Sequence, residues 1–234
     1  MILRLPKRKP INFQEDSLFM NIIIRNETKA DYRKVEHLIR EAFWNQNIPG
    51  CDEHYLLHKM RDHEDFIPEL DLVLEQDGEL VGSIVYTKAA LVDEQGQKKE
   101  VLTFGPVGIA PQYQRKGLGK QLMEASFVRA ADMGWDTVVI FGNPENYIPR
   151  GFKTCKKYNV CLEPGVFPTA LLVKELKPDA LDGRLWQYRG STAEEACADE
   201  EAVARFDAGF PPKEKGWQPS QELFYIYSRS SVVR

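Results

Sequence analysis

Apolar and polar positions recur along this chain with periods that divide it into short elements. The β-branched run Ile22–Arg25 reads as a strand. Beyond it Tyr32, Val35, Leu38, Ile39, Ala42 and Phe43 fall at helical spacing, with Thr28 or Asp31 as the cap. Pro49-Gly50 makes a turn, and Glu53–Arg61 reads as a second helix. Strands are predicted at Leu70–Glu75 and Leu80–Tyr86. They join at Gln76-Asp77-Gly78, where Asp-Gly tolerates the positive φ angles of a tight hairpin. After a turn at Glu94-Gln95-Gly96, Val101–Ile109 is a long strand. Lys116–Met133 is a helix with apolar Leu118, Leu122, Met123, Ala125 and Phe127, ending at Gly134. Thr137–Phe141 is densely β-branched, as a strand covered on both faces requires. Pro144–Arg150 is a short helix or loop, and Phe152–Leu162 and Ala170–Glu175 are two more strands.

The two ends differ from this body. Residues 1–19 are rich in Pro and charge and lack periodicity, so they are expected to form a mobile arm. Met20, just before the first strand, is a candidate start. After Lys177-Pro178 the character shifts again. An acidic helix is expected over Glu194–Phe210, a loop over 211–221 and a last strand at Leu223–Tyr227. The aromatics Phe210, Trp217, Phe224, Tyr225 and Tyr227 predict that this extension, 178–234, packs on a main domain of residues 20–177. It would cover a groove there or make a dimer contact. Consecutive strands followed by strand–helix–strand predict an α+β fold, a mixed sheet with helices packed on it.

Composition narrows the class. With 43% apolar and 28% charged residues among 234, the chain can bury a core without disulfides or metals. Thirty-one Lys+Arg against 35 Asp+Glu leave a net charge of −4, which argues against a nucleic-acid partner and inclines the choice of a small ligand toward a cation such as a polyamine or basic antibiotic. No apolar stretch approaches the roughly 20 residues of a membrane helix. Cys51, Cys155, Cys161 and Cys197 form no CxxC pair, and His54, His58 and His63 complete no zinc spacing with them. Four thiols in a reducing compartment and no metal are expected. The basic start MILRLPKRKPINF leads into no apolar core, so a cytoplasmic location is expected.

The stretch Val107–Met123, VGIAPQYQRKGLGKQLM, carries the chemistry. A strand runs through a Pro-containing turn and a basic, Gly-rich loop into a helix. The free amides and positive dipole end of a helix start attract an anion. Gly117 and Gly119 carry no Cβ to keep a phosphate from the backbone, and Arg115, Lys116 and Lys120 add charge. A Walker A loop is absent, because Lys120 is followed by Gln121 and no Gly lies five residues before Gly119. The dinucleotide pattern GxGxxG lacks its third Gly. A nucleotide-binding α/β protein remains a rival. The strand itself contains Gly105-Pro106, which predicts a bulge or splay.

Gln114-Arg115-Lys116-Gly117-Leu118-Gly119 matches Q/R-x-x-G-x-G/A and resembles the acyl-CoA pyrophosphate loop of the GNAT superfamily of N-acetyltransferases. Gly142-Asn143-Pro144-Glu145-Asn146-Tyr147, followed by Gly151-Phe152, resembles the segment after the family's fifth strand in its YhbS-like branch. Leu176–Gly183 is similar to a stretch near the end of that branch's sheet, so the resemblance spans about residues 20–185. It implies a mostly antiparallel sheet of six to seven strands, helices on both faces and a splay between strands 4 and 5.

The resemblance also implies acetyl-CoA as cosubstrate, transferring its acetyl group to a primary amine of a small molecule or peptide within a ternary complex. Val107, Gly108 and Ile109 would lie along the pantetheine arm, one of their amides facing the thioester oxygen. Gln114, Arg115, Lys116, Gly117, Leu118, Gly119 and Lys120 would hold the diphosphate, with Asn143 and Tyr147 beside the thioester. Tyr147 would be the general acid, since a phenol is protonated at neutral pH. Some family members place a Glu on the fourth strand as base; that position is Thr103 here. The segment Cys51-Asp52-Glu53-His54-Tyr55 holds the replacements, His54 first by its titration range, though as a residue it reads as a surface helix position. Phe43 and Trp44 read as core. The missing carboxylate keeps open an acyl-CoA-sensing module without catalysis, and the chain is expected to be a monomer or homodimer.

Overall fold

Residues 21–233 are described by the computed structural model, so the expected arm at 1–19 and the candidate start at Met20 lie outside the described residues. The first half of the chain runs β1 (Ile22–Asn26), α1 (Tyr32–Phe43), α2 (Glu53–Met60), β2 (Leu72–Gln76), β3 (Glu79–Asp93) and β4 (Lys98–Ile109). It continues through α3 (Leu118–Asp132), β5 (Thr137–Phe141), α4 (Pro144–Tyr147), β6 (Lys153–Thr154), β7 (Val160–Cys161), β8 (Val166–Pro168) and β9 (Leu171–Glu175). Last come β10 (Trp186–Arg189), α5 (Glu200–Asp207), α6 (Pro219–Arg229) and β11 (Ser231–Val233).

Asp77 and Gly78, at φ of +53° and +84°, make the tight turn that pairs β2 with β3. From this hairpin the sheet grows in the order β1-β2-β3-β4-β5-β9-β6, with β10 and β7 attached to the far half of β3. Its neighbours along that order are antiparallel except β4 and β5. This is the α+β architecture that the residue pattern and the family resemblance imply.

Alternation along the strands sorts the helices to two faces. Leu72, Leu74, Ile84 and Tyr86 point to the face that packs on Leu118, Leu122, Met123 and Phe127 of α3. Val73 and Val85 point to the other, where α1 and α2 lay down Val35, Leu38, Ile39, Leu57 and Met60. Gly108 in β4 lets α1 come close: a Cβ there would stand 2.7 Å from Ile39 Cδ1 and 3.3 Å from the Ala42 Cβ.

Three elements differ from the pattern. Phe152–Leu162 is not one strand, because a 3₁₀ turn at Cys155–Tyr158 ends in Asn159 at φ +55° and separates β6 from β7. The acidic stretch splits, since Asp199 accepts a hydrogen bond from the Ala202 amide (2.9 Å) and caps a fresh helix, α5, after a 3₁₀ segment at Thr192–Ala198. Leu223–Tyr227 is helical rather than extended. Pro219 opens the first turn of α6, and the less exposed positions Gln221, Phe224 and Ser228 recur at helical spacing. Beyond α6, β11 pairs antiparallel with β8.

Replacing Gly108 by Leu must push α1 off β4. Urea unfolding is expected to show a loss of about 1–3 kcal/mol, the usual cost of overpacking. An unchanged midpoint would mean that α1 is not seated there.

Candidate active site

The site begins where two strands part. β5 lies parallel to β4 but meets it at one register position, Leu102↔Val138, while β4 continues to Ile109. On its other side β4 stays paired with β3. There Ile84 faces Val107 and Tyr86 faces Phe104, so Gly105 and Pro106 together oppose the single residue Val85. This is the bulge that Gly-Pro in a strand predicts, and the extra residue turns β4 away from β5. Val107, Gly108 and Ile109 remain bonded to β3, and among the described residues no strand lies along their edge toward β5.

The chain leaves β4 through a 3₁₀ turn at Pro111–Tyr113 and enters α3. Gln114 Nε2 donates back to the Ile109 carbonyl at 2.9 Å, tying the loop to the strand end. Gly117 caps α3 at φ +84°, a conformation that costs glycine nothing, and its neighbour Arg115 stands at +60°. No side chain caps the helix, so its first amides point outward. Arg115, Lys116 and Lys120 are exposed around them, although Lys120 also stands 3.7 Å from Glu124 one turn on. Leu118 turns its side chain into the core and offers only its backbone to the loop.

Tyr147 stands across the opening from β4. Its ring rests on Gly142, where a Cβ would run into it, and packs against Phe104 and Phe152 with centroids 5.8 and 5.7 Å away. Burial, aided by the nearby Tyr227 and opposed by Arg150, pushes its hydroxyl up to about 12, so it is protonated across the physiological range. Asn143 precedes it and caps α4, its Oδ1 accepting from the Glu145 amide at 3.0 Å.

A cleft of about 220 Å³ lies between these parts. Its floor includes Ala42 and Phe43 at the end of α1, which are the residues in contact with Gly108 of β4. Asn143 and Asn146, both just ahead of Tyr147, line one wall, and Ser220, Leu223 and Tyr227 of α6 form the outer one. Phe43 therefore serves the cleft and is only half-buried, while Trp44 is core as expected, its Nε1 donating to the Glu214 carbonyl at 2.9 Å. Gln46 and Asn47 complete the lining, and Asn47 Nδ2 donates to Glu53 Oε1 at 2.8 Å. Burial pushes the Glu53 carboxyl up to about 7.

His54 does not reach this cleft. It is fully buried, not a surface position, and the reason is the C-terminal segment. Phe206 and Phe210 close on its ring at centroid distances of 5.5 and 5.2 Å. Its Nε2 lies 3.1 Å from Asp207 Oδ1, outside good hydrogen-bond alignment, and Asp207 takes a 2.6 Å bond from the buried Arg40 Nε. Burial pulls the imidazole down to about 4 against the upward pull of Asp207. Thr103 is likewise no base: it is buried and bonded to Tyr188. Sequence reading missed the α6 residues because it took that run as a strand. The signal was Pro219, a first-turn residue, ahead of Gln221, Phe224 and Ser228. Among the described residues no cluster of His, Cys, Asp or Glu could hold a metal ion, and no helix is long and apolar enough to cross a membrane.

Comparison with known proteins places this geometry. Residues 35–148 match the acetyltransferase (GNAT) family. The chain is 29% identical over 164 residues to the uncharacterized N-acetyltransferase YhbS of Escherichia coli K12, covering 69% of this chain and 92% of that protein. Two solved structures share the fold. One is YhbS of E. coli in complex with CoA (TM-score 0.65, 23% identity, 78% of this chain and 96% of that one). The other is a GNAT family acetyltransferase of Brucella melitensis in complex with acetyl-CoA (TM-score 0.57, 21% identity, 74% and 98%).

The His54 position has a measurable consequence. The unfolded imidazole titrates near 6.5 and the folded one near 4, so the unfolded chain binds more protons between those values. Stability is full above pH 6.5 and is lost as pH falls toward 4, by about 2 kcal/mol at pH 5. Urea unfolding across pH 7.5 to 5 reads it. A slope unchanged in His54→Gln would remove His54 as its source.

Proposed function

We propose that the chain is a GNAT acetyltransferase, as the family match over residues 35–148 and the likeness to YhbS support, and that it transfers an acetyl group from acetyl-CoA to a primary amine by direct attack in a ternary complex. One observation supports this most: the open edge of β4 ends at the uncapped start of α3, so a thioester carrier can be gripped along its arm and at its diphosphate together. The bound CoA and acetyl-CoA of the two structural neighbours favour that carrier over a nucleotide.

In this reading the α3 amides with Arg115 and Lys116 seat the diphosphate. A backbone amide of Val107–Ile109 donates to the carbonyl oxygen as negative charge develops on it. The amine lone pair forms the C–N bond, the C–S bond breaks, and the proton that nitrogen gives up balances the one the sulfur gains. Tyr147 faces the departing sulfur. Its hydroxyl, held protonated by burial, donates a hydrogen bond to the sulfur and serves as the general acid, the phenol regaining its proton from water. Glu53, one side chain behind the cleft at Asn47, has the proton affinity to collect the amine's proton through water. The lack of a carboxylate at Thr103 is the one observation favouring a sensor that binds acyl-CoA without turnover.

Calorimetric titration with acetyl-CoA tests the seat. Binding is expected for the wild type and loss of it for Gly119→Trp. A Cβ at Gly119 would meet only Ile109, at an ordinary 3.5 Å, so the fold tolerates a side chain there. Equal binding by both proteins, or by neither, overturns the assignment. Thiol release should fall about 10–100-fold in Tyr147→Phe, the value of a hydrogen bond to a charged group. Absence of turnover on every amine tried would favour the sensor. The pH–rate profile should rise through about pH 7, and Glu53→Gln should remove that limb; an identical profile would exclude Glu53.

A further inference from the structure

We propose that the acceptor is a small primary amine rich in hydroxyl groups and without a second charge, of amino-alcohol or amino-sugar type, held against the inner face of α6. The inference rests on the acetyl-transfer reading and names the substrate class of the same site.

The lining decides it. Gln46, Asn47, Asn143 and Asn146 present four carboxamides to the cleft, and none of its lining residues is acidic or basic. A carboxylate or phosphate on the acceptor would call for a guanidinium or ammonium there, and a polyamine would call for carboxylates. The available groups are of mixed sense. Asn47 spends its Nδ2 on Glu53 and keeps Oδ1 to accept. Asn143 spends its Oδ1 on the Glu145 amide and keeps Nδ2 to donate. Ser220 also lines the cleft, its buried hydroxyl without a hydrogen-bond partner. Hydroxyls donate and accept at once, so they suit a wall of this kind. Phe43 and Leu223 supply the apolar faces on which the C–H side of a ring or short chain can rest.

The outer wall also limits size. α6 is pinned at one end by Gln221 Nε2, which donates to the Asn45 and Gly216 carbonyls at 3.1 and 2.9 Å, and at the other by β11 on β8. A helix fixed at both ends bounds the cleft and favours a small molecule over a polypeptide terminus. The chain's net charge of −4 inclines toward a polyamine, but charge summed over the surface governs encounter and the lining governs choice.

Glucosamine, spermidine and glycylglycine serve as probes, each titrated calorimetrically into the CoA-saturated protein and assayed for thiol release from acetyl-CoA. Glucosamine is expected to bind and to exceed the others at least tenfold in kcat/KM. Ser220→Ala with Tyr227→Phe should raise its KM tenfold or more and leave the KM for acetyl-CoA within twofold. Leu223→Glu, at an exposed position, should shift the ratio toward spermidine. Preference for spermidine or glycylglycine, or a double variant with unchanged KM, overturns the inference. Turnover of those probes without glucosamine binding overturns it and leaves the transferase intact. Glucosamine binding without thiol release supports the cleft assignment and removes the transferase.

Discussion

The parting of β4 from β5 is the constraint around which the rest of this molecule is arranged. Backbone N–H and C=O groups need partners, and in the interior of the sheet the ladders supply them. Here the two parallel strands share one register position, Leu102↔Val138, and a two-for-one bulge at Gly105-Pro106 directs β4 away. The same strand then delivers the chain, within one short turn, to the start of α3. A strand edge in need of partners and a helix start in need of an anion thus arrive side by side from one contiguous stretch. Glycine permits two close approaches around it, Gly108 under α1 and Gly142 beneath Tyr147, and supplies the positive φ of Gly117 at the helix cap.

The C-terminal segment answers a different need. It crosses the end of α1 and the face of α2, and buries charge in doing so. Arg40 is almost fully buried and is matched by Asp207, while Trp44, Asn45 and Glu41 each bond to the passing chain. Paired buried charge adds little net stability, but removing one partner strands the other, so such clusters hold a segment in one place. The place held is the outer wall of the cleft. The family match covers residues 35–148, whereas α6 lies at Pro219–Arg229. The parts that would grip a thioester carrier lie within that match, while the cleft is lined jointly by residues inside it (Ala42, Phe43, Gln46, Asn47, Asn143 and Asn146) and by Ser220, Leu223 and Tyr227 of α6 outside it.

Much of this was legible in the residues. Asp77-Gly78 announced the hairpin, the period of Tyr32–Phe43 announced α1, and Gly105-Pro106 announced the bulge. Gly117 before an amphipathic run announced the start of α3. Each is a local statement, about the φ angles a residue tolerates, the hydrogen bond a proline cannot donate, or the face a three- or four-residue spacing builds, and a sequence states these directly.

What the chain concealed is non-local. His54 looked like an exposed helix residue until Phe206 and Phe210 closed over it, and Phe43 looked like core until the cleft claimed it. The run Leu223–Tyr227 is apolar enough for strand or helix; Pro219 is the local cue to the helix, and the seat of Gln221 on Asn45 and the docking of β11 on β8 fix where that helix lies. The sequence determined most of the elements and the order of strand, Gly-rich loop and helix, because those follow from each residue's own conformational limits. The tertiary structure alone decided which side chains line the cleft beside α6, because burial depends on partners that meet only when distant segments pack.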